Sequence, residues 1–111
     1  MQIEQLQKLV NEALEDLKAQ DVTVIDVKGK TSMTDMMMIA TGTSSRHVKS
    51  IADNVAMEAK KHGVQPLGVE GDDANAEWVL VDLGDIVIHV MQEKIRDFYQ
   101  LEKLWSMAED E

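Results

Sequence analysis

The sequence predicts an α/β chain, a five-stranded mixed sheet flanked by helices in the order α, β, β, α, β, β, β, α. Three observations carry this. Two β-rich apolar runs flank Gly84-Asp85, a two-residue hairpin signal, because Gly supplies the positive φ such turns demand. Met36 to Thr41 is apolar without alternation and ends at Gly42, as a central strand buried on both faces does. A helix-spaced stripe then follows Gly42-Thr43-Ser44-Ser45, giving a strand–helix crossover towards a later strand.

The first helix is expected from Ile3 to Ala19. Ile3, Leu6, Val10, Ala13, Leu14 and Leu17 recur at helical spacing, with Glu4, Lys8, Glu12, Glu15 and Lys18 mostly elsewhere on the wheel. Thr23 to Lys28 reads as a short strand and Gly29 to Ser32 as a turn. The three adjacent methionines of the next strand read as gap-filling core. Ser44 or Ser45 caps the second helix. Its stripe is Val48, Ile51, Ala52, Val55 and Ala59, and it stops near His62-Gly63. Pro66 blocks continuation, Leu67 to Glu70 is a short strand, and Gly71 to Ala76 is a polar loop.

The hairpin spans Glu77 to Met91. A loop at Gly84-Asp85 pairs Leu83 with Ile86, Asp82 with Val87, Val81 with Ile88, Leu80 with His89, Val79 with Val90 and Trp78 with Met91. One face is then wholly aliphatic core. The other carries Trp78, Leu80, Asp82, Val87, His89 and Met91, too apolar for a solvent face and too polar for a core. It reads as a surface that meets another molecule. The last helix, about Gln92 to Met107, has more large apolar groups than one stripe can bury. Ile95, Phe98 and Trp105 line one side, with Tyr99, Leu101 and Leu104 spread over others.

The 111 residues make one domain, with a frayed tail from about residue 106. Eleven basic and twenty-one acidic residues give a net charge of −10. Such a chain repels phosphate backbones and suits a basic protein partner, so no direct, sequence-specific nucleic-acid binding is expected. Without cysteine there is no disulfide and no thiolate chemistry. No signal peptide and no membrane span are expected, and the expected location is the cytoplasm.

Candidate chemistry is sparse. Gly42 to Arg46 is a helix start beside an arginine, where anions bind, but it lacks a Walker or Rossmann glycine pattern and reads as a capped helix start. His47, His62 and His89 have no metal-ligand spacing. Asp82 and Asp85 bracket the turn and read as turn formers. No catalytic residue, metal or cofactor is expected.

Several ordered motifs resemble the ribosomal silencing factor (iojap-like) family. They are Thr34-Asp35 before Met36 to Gly42, Thr43 to His47, Leu67 to Gly71, Trp78 to Asp85, Val87 to Met91 and Tyr99 to Trp105. The likeness runs from about residue 3 to Trp105. It implies a nucleotidyltransferase-like fold without catalysis. It also implies binding to large-subunit ribosomal protein L14, blocked joining of the ribosomal subunits, and lowered translation when nutrients are short. Nucleotidyltransferases of this fold have Gly-Ser followed by spaced metal-binding acids. Here Thr43 separates Gly42 from Ser44, and no Asp-x-Asp or Asp-x-Glu follows.

Joined to the mixed face, the resemblance gives expected partner contacts. Trp78, Leu80, Met91, Tyr99, Leu101, Leu104 and Trp105 are the anchors, and Asp82, Asp85 and Glu102 the rim charges. Two other readings remain: a nucleotide-handling enzyme using Gly42 to Arg46, and a homodimer formed through the greasy face.

Overall fold

A computed structural model describes residues 2–30, 32, 34–73 and 75–103. Its elements are α1 (Ile3–Asp16), β1 (Gln20–Asp26), β2 (Met36–Gly42), α2 (Ser45–Lys61), β3 (Gly68–Glu70), β4 (Trp78–Asp82), β5 (Ile86–Gln92) and α3 (Glu93–Tyr99). They form the expected mixed sheet, in the order β1-β2-β5-β4-β3. β2 and β5 run parallel, and the other three pairs are antiparallel.

Helices α1 and α2 cover one face. Leu6, Val10, Ala13 and Leu14 of α1 pack with Val48, Ile51, Ala52, Val55 and Ala59 of α2 over Met38, Ala40, Val79, Val81, Ile86, Ile88 and Val90. The period-3.6 stripes of the helices thus meet the period-2 faces of the strands. Asn54 Nδ2 ties the helices by donating to the Ala13 carbonyl at 2.9 Å. Ser44 caps α2, accepting from the His47 N–H at 3.1 Å. Lys60 and Lys61 complement its carboxyl end.

The hairpin register is as the sequence predicts, from Trp78 opposite Met91 to Asp82 opposite Val87. At the turn the Leu83 N–H donates to the Ile86 carbonyl at 2.9 Å, and Gly84 has φ 87. The Asp85 carbonyl accepts from the N–H groups of Asp35 and Met36, which fixes the turn to the start of β2. β2 is central and buried on both faces, with Met38 in one core cluster and Met37 in the other.

Three elements differ most from expectation. α1 ends at Asp16 rather than Ala19, because Lys18 turns left-handed (φ 59) and Ala19 N–H returns to the Leu14 carbonyl. β1 begins earlier, at Gln20, and its register shifts between Gln20 and Thr23 around Asp21 (φ 49). The last helix does not run unbroken. α3 stops at Tyr99 because Gln100 adopts the left-handed conformation (φ 49, ψ 52), and Leu101 to Lys103 begin a separate helical turn. The expected continuation to Met107, the anchors Leu104 and Trp105, and the tail from 106 lie outside the described residues.

Candidate functional site

The second face of the sheet leaves part of its apolar surface incompletely covered. Alternation places Thr23 and Ile25 of β1, Met37, Ile39 and Thr41 of β2, Val87, His89 and Met91 of β5, and Trp78, Leu80 and Asp82 of β4 on this side. One part of it is roofed. Ile95 of α3 and Leu101 pack with Trp78 against Ile25, Val27, Met37, Ile39 and Met91. Over the rest, Leu80, Asp82 and Val87 are half-buried.

Arg96 fixes the roof. Its Nε donates to Glu102 Oε1 at 2.6 Å, one Nη to Thr41 Oγ1 at 2.8 Å and to the Asp21 carbonyl, and the other to Thr23 Oγ1 at 2.9 Å. One guanidinium therefore joins α3, the turn after it, β1 and β2. Arg96 also holds the Glu102 carboxyl below its usual pKa range. Sequence reasoning did not find Arg96. The available signal was Thr41, buried among aliphatics with half-buried Thr23 on the same face, since a buried hydroxyl implies a donor or acceptor opposite it.

Trp78 sits at the margin of the roof, half-buried. Its indole N–H donates to His89 Nδ1 at 2.9 Å, and its ring tilts against Tyr99 with centroids 4.9 Å apart. His89 must accept at Nδ1, so its proton resides on Nε2. Burial pushes its pKa down to about 4, which keeps the ring neutral and able to accept. His89 is thus a structural histidine with its acceptor satisfied.

The remaining expected contacts separate into groups. Leu80 is half-buried beside Trp78, while Tyr99 is 51% exposed. Phe98, its T-shaped neighbour, is 80% exposed and was not among the expected contacts. Asp82 Oδ1 accepts from the Gly84 N–H at 2.9 Å, and Asp85 is exposed at the turn tip. Met91 is a correction: at 0% exposure it lies under the roof, because α3 folds back directly over the end of β5. Leu101 is half-buried in the same cluster and supports the surface more than it forms it. Glu102, expected as a rim charge, has its carboxylate bound to Arg96.

The stretch that supplies three of the five strands is acidic. Between Lys61 and Lys94 the chain has seven acidic residues and no lysine or arginine, and this stretch contains β3, β4 and β5. Lys94 itself pairs with Glu77 at 3.6 Å.

The helix start at Gly42 to Arg46 is partly committed to internal bonds. The Thr43 N–H donates to His47 Nδ1 at 2.9 Å, and His47 Nε2–H donates to the Leu17 carbonyl at 2.6 Å. Ser44 takes the His47 N–H. A Cβ on Gly42 would lie 2.7 Å from Val48 Cγ2 and 2.9 Å from Val48 N, so the glycine serves close strand–helix approach. Among the described residues there is no cluster of three His, Cys, Asp or Glu fit for a metal ion. None of their helices is long and apolar enough to cross a membrane.

A family model described as "Ribosomal silencing factor during starvation" matches residues 1–111. A ribosomal silencing factor RsfS from Haemophilus influenzae is 48% identical over 101 residues, covering 91% of this chain and 98% of that one. A crystal structure of a Chromobacterium violaceum protein superimposes with a TM-score of 0.92 at 45% identity, covering 96% of this chain and 88% of that one. The mouse protein named "Mitochondrial assembly of ribosomal large subunit protein 1" is 38% identical over 92 residues, 80% of this chain and 40% of its own length. With its whole length matched and such identity extending over nearly all of a relative, the chain belongs to the ribosomal silencing factor (RsfS) family.

Proposed function

We propose that this protein binds the large ribosomal subunit through ribosomal protein L14 and blocks joining of the small subunit by occupying its docking space, lowering translation in the cytoplasm when nutrients are short. The observation that carries this is the second sheet face. Leu80 and Val87 are incompletely covered there, and Phe98 and Tyr99 project from the adjoining helix. The strands beneath lie in a stretch without any lysine or arginine. An apolar centre with an acidic surround fits a basic ribosomal protein, with burial supplying affinity and charge setting register and encounter rate. Family membership and the relative named for large-subunit assembly support the same partner class.

The mechanism requires no bond-making. A relative carries a regulatory name, and at the helix start after Gly42 the Thr43 and His47 N–H groups are already taken by His47 Nδ1 and Ser44 Oγ. Exclusion follows from volume: a 12.4 kDa body cannot share the intersubunit face with the opposite subunit. Small subunits in excess oppose it by mass action.

The test is co-sedimentation of the purified protein with isolated large subunits, alone and with small subunits added. The expected result is stoichiometric binding to large subunits and reduced formation of joined ribosomes. Binding to joined ribosomes as tight as to free large subunits would remove the mechanism. Sedimentation over a protein concentration series reads out the competing use of the face, pairing of two copies.

A further inference from the structure

Beside Trp78 the open face contains a recess of about 300 Å³, lined by Glu70, Gly71, Trp78 and Leu80. Its walls are built features. Glu70 and Leu80 are direct partners across β3 and β4, so the carboxylate and the isobutyl group stand side by side on one face. Gly71 has φ 83, and a Cβ there would overlap the Trp78 carbonyl oxygen, so the chain passes against the tryptophan only as glycine. The indole is held in place by its bond to His89 and by Tyr99. Asp72 is neutralised by Lys49 at 2.8 Å and Glu77 by Lys94, whereas Glu70 is exposed and its carboxylate makes no hydrogen bond or ion pair among the described residues.

A free carboxylate, an aromatic ring and an aliphatic wall around one concavity match a long cationic side chain. An acid repels anionic groups, and the ring quadrupole attracts cations. An alkyl stem lies on apolar surface while its charged head reaches the acid. We propose that this recess receives one lysine or arginine side chain of the basic partner, its cation between the Glu70 carboxylate and the Trp78 indole and its stem on Leu80. The inference rests on the ribosomal-protein reading and adds the side-chain chemistry that the partner must present. Preorganisation of the indole lowers the ordering cost of capture.

The test uses the full chain with Glu70→Gln and Glu70→Lys, folding being checked by far-UV circular dichroism. Glu70 lies exposed in a short edge strand, so both variants keep the core intact. In large-subunit co-sedimentation at low salt, Glu70→Gln is expected to weaken binding about 5–10-fold, and Glu70→Lys further. Binding of both variants within about twofold of wild type overturns the recess proposal and leaves the ribosomal reading standing. If wild type itself fails to bind large subunits, the ribosomal reading falls, and the recess is then judged by NMR. N-acetyl-lysine amide and N-acetyl-arginine amide are titrated at millimolar concentration into labelled protein. Saturable shifts of the Trp78 indole N–H and the Gly71 amide that vanish in Glu70→Gln uphold the recess, and their absence in wild type overturns it.

Discussion

Acidification perturbs one buried group in a calculable way. His89 is 7% exposed, accepts the Trp78 indole N–H at Nδ1, and has its pKa pushed by burial from 6.5 to about 4. Between these values the unfolded chain binds a proton that the folded chain refuses. The folded pKa is the lower one, so stability is full above pH 6.5 and is lost as pH falls towards 4. At ~1.36 kcal/mol per pH unit, the loss is about 2 kcal/mol by pH 5 and roughly 3 kcal/mol once pH passes below the folded pKa. Protonated Nδ1 also turns from acceptor to donor, so the Trp78 contact fails in the same step. The assay is urea unfolding followed by far-UV circular dichroism at several pH values between about 7.5 and 5, on wild type and His89→Asn. Asparagine keeps an acceptor where Nδ1 stands but does not titrate. Glu102 and Asp72, whose pKa values are lowered by Arg96 and by Lys49 with Asp53 respectively, lose their stabilisation at lower pH and do so in both proteins. The wild-type curve should fall more steeply than the variant's by the amounts given. Parallel curves, or an NMR titration placing His89 near 6.5, would refute the reasoning.

Other perturbations test the roof, the crossover and the proposed surface. Arg96→Met removes the guanidinium that joins Glu102, Thr41, Thr23 and the Asp21 carbonyl. It should cost about 2–4 kcal/mol in urea unfolding, with hydrogen exchange rising first in α3. Gly42→Ala forces a methyl group against Val48 and should cost about 1–3 kcal/mol in the same measurement. Phe98→Ser removes a ring already 80% exposed. Its thermal midpoint should stay within a degree or two of wild type, roughly, while large-subunit co-sedimentation weakens about tenfold or more.

The hairpin was legible because two independent signals agree there. The Gly84-Asp85 turn fixes the loop, and period-2 alternation then assigns every side chain to a face. β2 was legible for a related reason, since a strand buried on both sides admits no polar alternation. The closing helix misled because its apolar residues continue past Tyr99. The break at Gln100 is a left-handed residue that is neither Gly nor Asn, so composition gives no sign of it. Met91 was placed on the correct face, but its burial depends on α3 returning over β5, a tertiary fact. Glu102 looked like a free acid because its cation, Arg96, belongs to the preceding helix and meets it only after the chain reverses at Gln100. Glu70 was passed over although its charge was visible, because its meaning lies in what stands opposite it across β4.

Both rims of the sheet are made poor templates for a further strand. β3 has only three residues, one of them glycine and one acidic, while β1 is bulged near Asp21 and ends on Asp26. Short, charged and irregular borders hinder ladder growth between molecules. A chain that displays Phe98 and Tyr99 at its surface is thereby shielded from fibril-like stacking. That leaves the broad side of the sheet, where fit is dictated by side chains and can be selective, as the face offered to the proposed partner.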